Sequence, residues 1–243
     1  MKKDNDWVGI ATETEQWLDY HVIDRLMRDN RSIRRFDQRF QVPYEQLAMV
    51  VWLAGDSASA RNAQPLRYRY VFERPECKAL FPHLRWAGYY KDWDGPAEGE
   101  RPNAYIVQCL DTTIIKDSKE VQCDAGLQLQ AITLGLTAFG AGSCIIGAFD
   151  RKGVREVLDL DEVYEPLYVV AVGKAAEEVR MVPMDPLTDD YRYYRDENDV
   201  QCVPKRAIGD LVIHPGRNSV MCKYYDEIIE AQKKRDRESH GWI

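Results

Sequence analysis

Apolar residues recur at helical spacing over residues 15–28 and 42–55, which predicts two helices near the start of the chain. Pro43 in the first turn and Gly55 at the end support the second helix. A longer helix is predicted over residues 120–142. Because this segment has few charges and many alanines and glycines, we expect it to be buried on most of its surface. Its small residues would let another backbone, including that of a second subunit, approach closely: Ala125, Gly126, Ala131 and Gly135.

The same pattern predicts four strands. Residues 67–74 alternate between polar and apolar side chains, as a half-buried strand does. The three others are apolar segments: residues 104–110, 143–149 and 165–175. Strands and helices follow one another without a regular βαβ order, which favours the α+β class.

The remaining elements are shorter or more polar. A short amphipathic helix is predicted over residues 150–160. From about Pro183 the chain is polar and aromatic, and we expect an extended arm there. A charged helix is predicted to follow it over residues 218–236.

Length and charge exclude some classes of protein. With 243 residues, the chain can form one large domain or two small ones around a real core. A net charge of −7 argues against a nucleic-acid-binding protein, which needs a basic surface for phosphates. The N-terminus has no apolar run of the secretory type, and no segment reaches the roughly 20 apolar residues of a membrane span. We therefore expect a cytoplasmic protein that binds neither nucleic acid nor membrane.

The cysteines and histidines point to no metal site. The six cysteines form no CxxC pair, and the four histidines are scattered. We expect reduced thiols and no bound metal. Cys109 and Cys144 lie in apolar runs and are expected to be small buried side chains.

Cationic side chains are concentrated in the segment "RSIRRF", residues 31–36. Arginine offers paired donors that suit a phosphate group or the carbonyls of a ring. Taken alone, such a segment is also typical of a solvated basic face.

Three further segments carry polar groups suited to a ligand. In "SASARNAQPLRY", residues 57–68, small residues permit close approach, and Asn62 and Gln64 can both donate and accept hydrogen bonds. In "GSCIIGAF", residues 142–149, Gly147 could expose backbone N–H groups. In "VPKRAIGDLV", residues 203–212, Lys205 and Arg206 are adjacent. Each segment by itself is also ordinary turn or surface sequence.

Together and in this order, the four segments resemble the FMN-dependent nitroreductase family. That family has an Arg-Ser-x-Arg element, a Ser-x-x-Asn-x-Gln-Pro segment, a long buried helix before an Ile-Gly-x-Phe strand, and a Lys or Arg near the C-terminus. The resemblance covers about residues 20–213. It implies a single FMN-binding domain over residues 1–243, with 214–243 as a C-terminal helix or tail. The implied fold is nitroreductase-like α+β, with a central, mostly antiparallel sheet flanked by helices and an extended C-terminal arm.

The resemblance also implies a homodimer with FMN at the subunit interface. Arg31, Ser32 and Arg34 would line the cofactor from its phosphate to ring atom N1. Asn62 would bind the pyrimidine edge of the ring, with Gln64 beside it. The remaining implied contacts are backbone groups near ring atom N5 and cations at the phosphate: Ile146, Gly147, Lys205 and Arg206.

Two positions depart from the family pattern. Many members have a second arginine directly before the serine element, where this chain has Asn30. Arg35 would either compensate for that charge or point to solvent. The family's usual aromatic residue after Gln-Pro is Leu66 here, which we expect to alter packing rather than abolish binding.

The activity that the resemblance implies is that of an FMN oxidoreductase. NADH or NADPH would reduce the flavin, and a small organic acceptor such as a nitroaromatic or a quinone would reoxidise it in a ping-pong cycle. No acid or base side chain is required in the nicotinamide half-reaction. The alternatives are a non-catalytic flavin-binding protein, for storage or sensing, and a flavin-fragmenting, dehalogenating or azoline-oxidising enzyme on the same fold.

Two aromatic stretches have two interpretations each. Residues 84–105 would form either a surface loop packed on its own aromatics or a lid over the flavin that sets substrate choice. Residues 189–196 would form a solvated arm, or play the lid's part from the other subunit.

Overall fold

A computed structural model describes residues 14–185, 187–211, 213, 227 and 230. The chain divides into two compact units, the first ending at Glu177 and the second beginning at Glu178. The helix expected over residues 218–236 lies outside the described residues, apart from Glu227 and Glu230. The single domain over residues 1–243 stays a prediction.

The first unit contains five α-helices within its described residues. They are α1 (Thr14–Asp29), α2 (Tyr44–Gly55), α3 (Arg74–Leu80), α4 (Lys119–Ala138) and α5 (Arg151–Val157), with short 3-10 turns at Ala60–Asn62 and Phe81–His83. Four of these helices were predicted. Helix α3 was missed because its seven residues are too few to show a helical period.

The ends of α4 follow from its flanking residues. At the start, the hydroxyl oxygen of Ser118 accepts a hydrogen bond from Val121 N. At the end, Gly140 adopts a φ of 75°, and Ala141 N donates to Leu136 O at 2.9 Å. This left-handed glycine ends the helix at Ala138, four residues before the predicted boundary at residue 142.

Four strands form one antiparallel sheet in the first unit. They are β1 (Leu66–Val71), β2 (Ala104–Asp111), β3 (Gly142–Ile146) and β4 (Tyr164–Gly173), in the order β1-β2-β4-β3. Every neighbouring pair is antiparallel, and the register places Tyr70 opposite Ile106 and Ile106 opposite Val170. All four predicted strands are present, and the α+β class is confirmed.

The main core lies between this sheet and the helices α2 and α4. It consists of buried aliphatic side chains, among them Leu47, Val50, Ile106, Ile132, Leu136 and Val170. Gly135 lets the two helices approach, because a Cβ at this position would lie 2.8 Å from Val50 Cγ1. This small residue of α4 therefore serves a contact within the chain. At Gly126, by contrast, a Cβ would meet no described atom within 4 Å. Cys109 and Cys144 are buried, as predicted.

The second unit contains a small sheet of its own. Strands β5 (Val179–Pro183), β6 (Tyr194–Arg195) and β7 (Gln201–Lys205) are arranged in the order β5-β7-β6, with β5 and β7 parallel. A short helix, α6, follows at Ile208–Leu211. The stretch that was expected to be an extended arm thus has paired strands within it, which the polar composition did not reveal. No helix in either unit's described part is both long and apolar enough to cross a membrane.

Candidate functional site

Residues 31–36, which we call the arginine segment, begin beside β3, an outer strand of the main sheet. Ser32 forms a parallel bridge with Ser143 of β3, and Ile33 N donates to Ser143 O at 2.8 Å. Ile33 and Phe36 are buried. Their side chains pack over Gly142 and Gly173, where a Cβ would approach them to 2.8 and 2.9 Å. The two apolar residues therefore fix the segment, and the arginines between them project from a rigid support.

The three arginines of this segment have different surroundings. Arg31 is half-buried and donates to Met27 O at 2.6 Å, while its buried Nε has no hydrogen-bond partner among the described residues. Burial lowers the pKa of this guanidinium from its usual value. Arg34 Nη1 donates to Ser32 O at 3.3 Å. Arg35 Nε lies 3.7 Å from Glu100 Oε2, so Arg35 has an acidic neighbour within the chain.

Glu177 holds the backbone of the arginine segment from the other side. Its Oε1 accepts hydrogen bonds from Arg34 N and, at 3.0 Å, from Arg35 N. In addition, Ala176 N donates to Arg35 O at 3.0 Å. Sequence reasoning missed this role of Glu177, because its partners are backbone groups 142 and 143 positions earlier in the chain.

Asn30 has a structural contact where many family members would have an arginine. Its Nδ2 donates to Thr133 Oγ1 of α4 at 2.9 Å. Asn30 also directly follows the end of α1, and its N–H donates to Leu26 O at 2.9 Å. The residue thus ties the end of α1 to α4.

Residues 59–64, which we call the amide loop, have an unusual backbone. Arg61, Asn62 and Gln64 all adopt positive φ, at 55°, 55° and 47°. This left-handed region is uncommon for residues other than glycine, and it persists only where the surroundings impose it. Gln64 Nε2 donates to Asn62 Oδ1 at 3.0 Å, so the two amides lie side by side, and both residues are exposed.

Asp124 of α4 imposes this conformation on the loop. Its Oδ2 accepts from Ser59 Oγ at 2.6 Å, and its Oδ1 accepts from Ala60 N at 2.9 Å. Ser59 Oγ in turn accepts from Gln64 N at 2.9 Å. Asp124 is buried, and sequence reasoning missed it. A carboxylate inside an otherwise apolar helix was the feature that could have identified it.

A buried polar network fixes α4 one turn further along. Tyr68 OH donates to Gln128 Oε1 at 2.5 Å and accepts from Gln108 Nε2 at 3.0 Å. Burial raises the pKa of Tyr68 to about 12, so this hydroxyl stays a donor. Leu66, at the family's aromatic position, is buried in the adjacent apolar cluster with Leu110.

The end of β3 presents Gly147 at the surface. Ile146 is buried as the last residue of the strand, and Gly147 after it is exposed. A Cβ at Gly147 would lie 3.3 Å from Tyr168 Cε1, so the absence of a side chain keeps the backbone open there.

The aromatic segment of residues 84–105 begins beside this strand end. Leu84 forms a bridge with Phe149, and Arg85 N donates to Ala148 O at 3.0 Å. Within the segment Trp86 is buried, and its ring packs on Gly95, whose φ is 122°. These contacts favour a loop packed on its own aromatics, with its first residues close to Gly147.

The structure brings together two of the four predicted segments. The arginine segment and residues 142–147 are neighbours through β3. The amide loop is fastened to α4 at Asp124, nine positions from Thr133, which is about 13.5 Å along the axis at 1.5 Å per residue. Lys205 and Arg206 belong to the second unit. There, Arg206 binds both oxygens of Asp189, at 2.6 and 3.3 Å.

No group of three or more His, Cys, Asp or Glu side chains in the described ranges is placed to hold a metal ion.

Comparison with known proteins gives one consistent family. A model of the Nitroreductase family matches residues 27–174. YdgI from Bacillus subtilis (strain 168), whose name describes an NAD(P)H nitroreductase, is 25% identical over 185 residues, covering 63% of this chain and 88% of YdgI.

Solved structures share the fold. A nitroreductase from Desulfovibrio desulfuricans in complex with FMN has a TM-score of 0.54 at 22% identity, covering 64% of this chain and 87% of that one. The FMN-dependent nitroreductase NfnB from Mycobacterium smegmatis, in complex with NADPH, has a TM-score of 0.52 at 18% identity, covering 65% and 89%.

Proposed function

Because this chain belongs to the nitroreductase family and has its α+β fold, we propose that it is a homodimeric FMN oxidoreductase. Its electron donor would be NADH or NADPH, and its acceptor a small organic molecule such as a nitroaromatic or a quinone. The observation that carries the proposal is the arginine segment, which is bonded at Ser143 to β3, the strand that leads to the exposed backbone at Gly147.

The arginine segment fits an anionic cofactor. The buried Nε of Arg31 has no acceptor among the described residues, and burial of the guanidinium destabilises its charge. A phosphate group or an anionic ring would supply both the acceptor and the opposite charge. Arg34 would lie nearer the flavin ring than Arg31, with Ser32 between these two arginines. Arg35 would mainly interact with its neighbour Glu100.

The amide loop fits the neutral polar edge of a flavin ring. Its Asn62 and Gln64 side chains are exposed, and Asp124 holds their backbone in a conformation that few residues adopt freely. A preordered loop loses less conformational freedom when it binds, which favours affinity. Lys205 and Arg206 are assigned to the phosphate by the family resemblance alone, and Arg206 would have to release Asp189 to bind it.

FMN, when bound, supplies the two-electron redox chemistry that the side chains of the protein lack. The residues of the chain would act by position and charge. Arg31 and Arg34 would stabilise negative charge on the bound ligand, and the missing side chain at Gly147 would let a planar molecule reach the backbone. No proton donor or acceptor side chain is assigned.

Exposed apolar residues on α1 and α2 support the homodimer. Met49, Trp52 and Leu53 form one exposed face of α2, and the side chain of Trp52 is 76% exposed. Ile23 and Met27 of α1 are exposed as well. Such a set is uncommon on a monomer and typical of a surface covered by a second copy. In a dimer, the amide loop of one copy would approach the arginine segment of the other, because these two segments of a single copy lie apart.

Flavin uptake and reduction test this proposal directly. The purified protein is titrated with FMN, and the complex is then mixed anaerobically with NADH or NADPH in a stopped-flow instrument. We expect stoichiometric uptake, loss of the flavin's visible absorption with at least one nicotinamide, and its return when a quinone or a nitroaromatic is added.

Two results would contradict the proposal in different ways. A protein that takes up no FMN does not belong to either flavin-dependent class. A protein that binds FMN but is reduced by neither nicotinamide is a flavin-binding protein or a specialised enzyme of the same fold. Permanent loss of flavin absorption in the presence of oxygen would indicate the fragmenting activity.

A further inference from the structure

The first unit contains a cavity of about 540 Å³ that none of the residues assigned to FMN lines. This volume lies within the range of roughly 300–1,000 Å³ found for small-molecule sites. The walls come from residues 37–39, from α3 with the turn after it, and from residues 98–105. Tyr105 belongs to β2, and because its neighbours Ala104 and Ile106 face the α2–α4 core, it lies on the opposite face of the sheet.

The rim of this cavity is cationic although the protein is acidic. Arg74 and Lys78 are one turn apart on α3. Arg101 lines the same cavity, with its guanidinium carbon 4.2 Å from the centre of the Phe81 ring. None of these three cations forms an ion pair within the described part of the chain.

The two acidic side chains on the rim do not neutralise it. Asp37 is engaged by Arg39, with contacts of 2.8 and 2.9 Å, and this arginine holds the pKa of the carboxyl at about 2. Glu98 is the other acid among the lining residues. The charges of Arg74, Lys78 and Arg101 therefore exceed the acid left to balance them.

A second, independent observation points to a missing acceptor. The Tyr105 side chain is 0% exposed, and its hydroxyl has no hydrogen-bond partner among the described residues. A buried donor without an acceptor is unfavourable, and native proteins rarely leave one. Burial also raises the pKa of Tyr105 above its ordinary value, so the group remains a donor. An acceptor atom of a molecule in the cavity would satisfy it.

We propose that this cavity binds a small organic anion, a carboxylate or a phosphate ester, at a site separate from the flavin site. The anionic group would lie between Arg74, Lys78 and Arg101, the Tyr105 hydroxyl would donate to the ligand, and Phe81 would contact its apolar part. The proposal does not depend on the flavin assignment, because the two sets of residues do not overlap.

Calorimetric titration of the FMN-saturated protein tests the site while the cofactor's own phosphate position is filled. The probes are benzoate, phenyl phosphate, inorganic phosphate and the neutral analogue benzyl alcohol. We expect saturable binding of at least one organic anion, with a dissociation constant of about 1 mM or tighter, and no binding of benzyl alcohol. Comparing benzoate with phenyl phosphate identifies which anion the site prefers. If no FMN is taken up, the same titration is made on the protein alone, and the variants below still locate the site.

Variants show whether the anion occupies this cavity. Replacing both cations of α3, Arg74→Gln with Lys78→Gln, should weaken binding about tenfold, because the anion then loses two of its three cationic partners. Tyr105→Phe should weaken it several-fold without unfolding the protein, because the hydroxyl has no internal partner to lose. Lys116→Gln with Lys152→Gln removes the same charge from exposed positions elsewhere and should leave the affinity unchanged.

Three results would overturn the proposal. The first is the absence of saturable binding by every anion. The second is equal weakening in the Lys116/Lys152 control, which would indicate attraction by overall charge. The third is unchanged affinity in both cavity variants, which would place the anion elsewhere and leave the rim as a solvated basic surface.

Discussion

Arg31, Arg34 and Arg35 lie within five positions of one another, yet each has a different neighbour. Arg31 donates to a carbonyl of α1 and Arg34 to a carbonyl of its own segment, whereas Arg35 Nε lies 3.7 Å from the carboxylate of Glu100. The sequence showed a concentration of positive charge. The structure shows that these three residues are not interchangeable.

Arg34→Ala should lower the reduction potential of bound FMN. Loss of one charge-assisted hydrogen bond to the reduced form removes about 1.5–3 kcal/mol, which is roughly 30–60 mV for a two-electron couple. The measurement is a spectroscopic redox titration against dyes of known potential. Arg39→Ala, at a side chain 90% exposed, should leave the potential unchanged. If Arg34→Ala does the same, Arg34 does not face the flavin ring.

Asp124→Asn should weaken FMN binding through the amide loop. The amide keeps only one acceptor oxygen, and its NH2 group would face Ser59 Oγ or Ala60 N, which both donate to the carboxylate. The loss of one such contact is worth about 1–3 kcal/mol. Because the lost contact leaves the loop less ordered before FMN binds, we expect about tenfold weaker binding in a fluorescence titration. Asp117→Asn removes an exposed carboxylate near the same helix and should bind FMN normally. Equal affinity in both variants would mean that the loop does not contact the cofactor.

The residues that sequence reasoning identified differ in kind from those it missed. Arg31, Asn62 and Gly147 could be proposed because their chemistry and order match a family pattern. Glu177 could not, because it acts on backbone N–H groups far away in the chain, and Asp124 was marked only by its charge within a weakly charged helix. Backbone groups carry no sequence signature, so only the fold reveals such partners.

Helix α4 is the element on which the candidate site depends. It binds the amide loop through Asp124, the end of α1 through Thr133 and helix α2 through Gly135. Its existence was clear from the sequence because twenty residues show a consistent apolar character. Its end was misplaced because alanine and glycine continue past Ala138, and only the left-handed Gly140 stops the helix.

Gly126 and Gly135 of α4 should respond oppositely to alanine. At Gly126 the added methyl meets nothing, so Gly126→Ala should raise the free energy of unfolding by about 1 kcal/mol through helix propensity. At Gly135 the methyl would press on the stiff, buried Val50, so this clash should lower the free energy of unfolding of Gly135→Ala by about 1–3 kcal/mol. The gain from helix propensity offsets part of this loss. Urea denaturation of the two variants measures the difference. Equal stabilisation of both variants would show that α2 shifts easily to make room for the added methyl group on α4.

The short elements show where pattern reasoning ends. Strands β2 and β4 were predicted because their side chains are almost all apolar. Helix α3 was not, since seven residues give less than two full turns, although Pro75 near its start was a usable indication. Strand β6 has only two residues and pairs by backbone bonds alone, so no side-chain pattern marks it.

For the molecule as a whole, Trp52→Glu should convert the proposed dimer to a monomer. A charge in the middle of an apolar interface would lose its hydration without gaining a partner. Sedimentation velocity should show half the mass of the wild-type protein, and titration with FMN should show weaker binding. Ile114→Glu, at an exposed residue in the turn after β2, is the matched control and should stay dimeric. A wild-type protein that sediments as a monomer would remove the basis of this prediction.

Alkaline pH should destabilise the folded protein. Burial raises the pKa of Cys109 to about 12 and that of Cys144 to about 11, above the values of thiols in the unfolded chain. From about pH 9 the unfolded state therefore loses protons that the folded state keeps, and the free energy of unfolding falls by up to about 3 kcal/mol per pH unit. This contribution is fully present below about pH 9 and is lost as the pH rises toward the folded values.

Denaturation midpoints in urea between about pH 8 and pH 11 measure this slope. Replacing Cys109 and Cys144 by alanine should make it less steep, whereas Cys123→Ala, at an exposed thiol, should not. Cys77 keeps part of the slope, because burial raises its pKa to about 12 as well. A stability that is independent of pH in this interval would mean that the two thiols ionise in the folded state.

The contact between the arginine segment and β3 has a consequence for solubility. β3 is the outer strand of its sheet, and an outer strand offers unpaired backbone groups to any other chain. Here Ser32 and Ile33 occupy part of that edge, so another strand cannot pair with Ser143. The segment proposed to bind the cofactor thus also covers part of a sheet edge that could otherwise pair with another chain and lead to aggregation. A change that releases them from β3 would expose a template for intermolecular strand pairing.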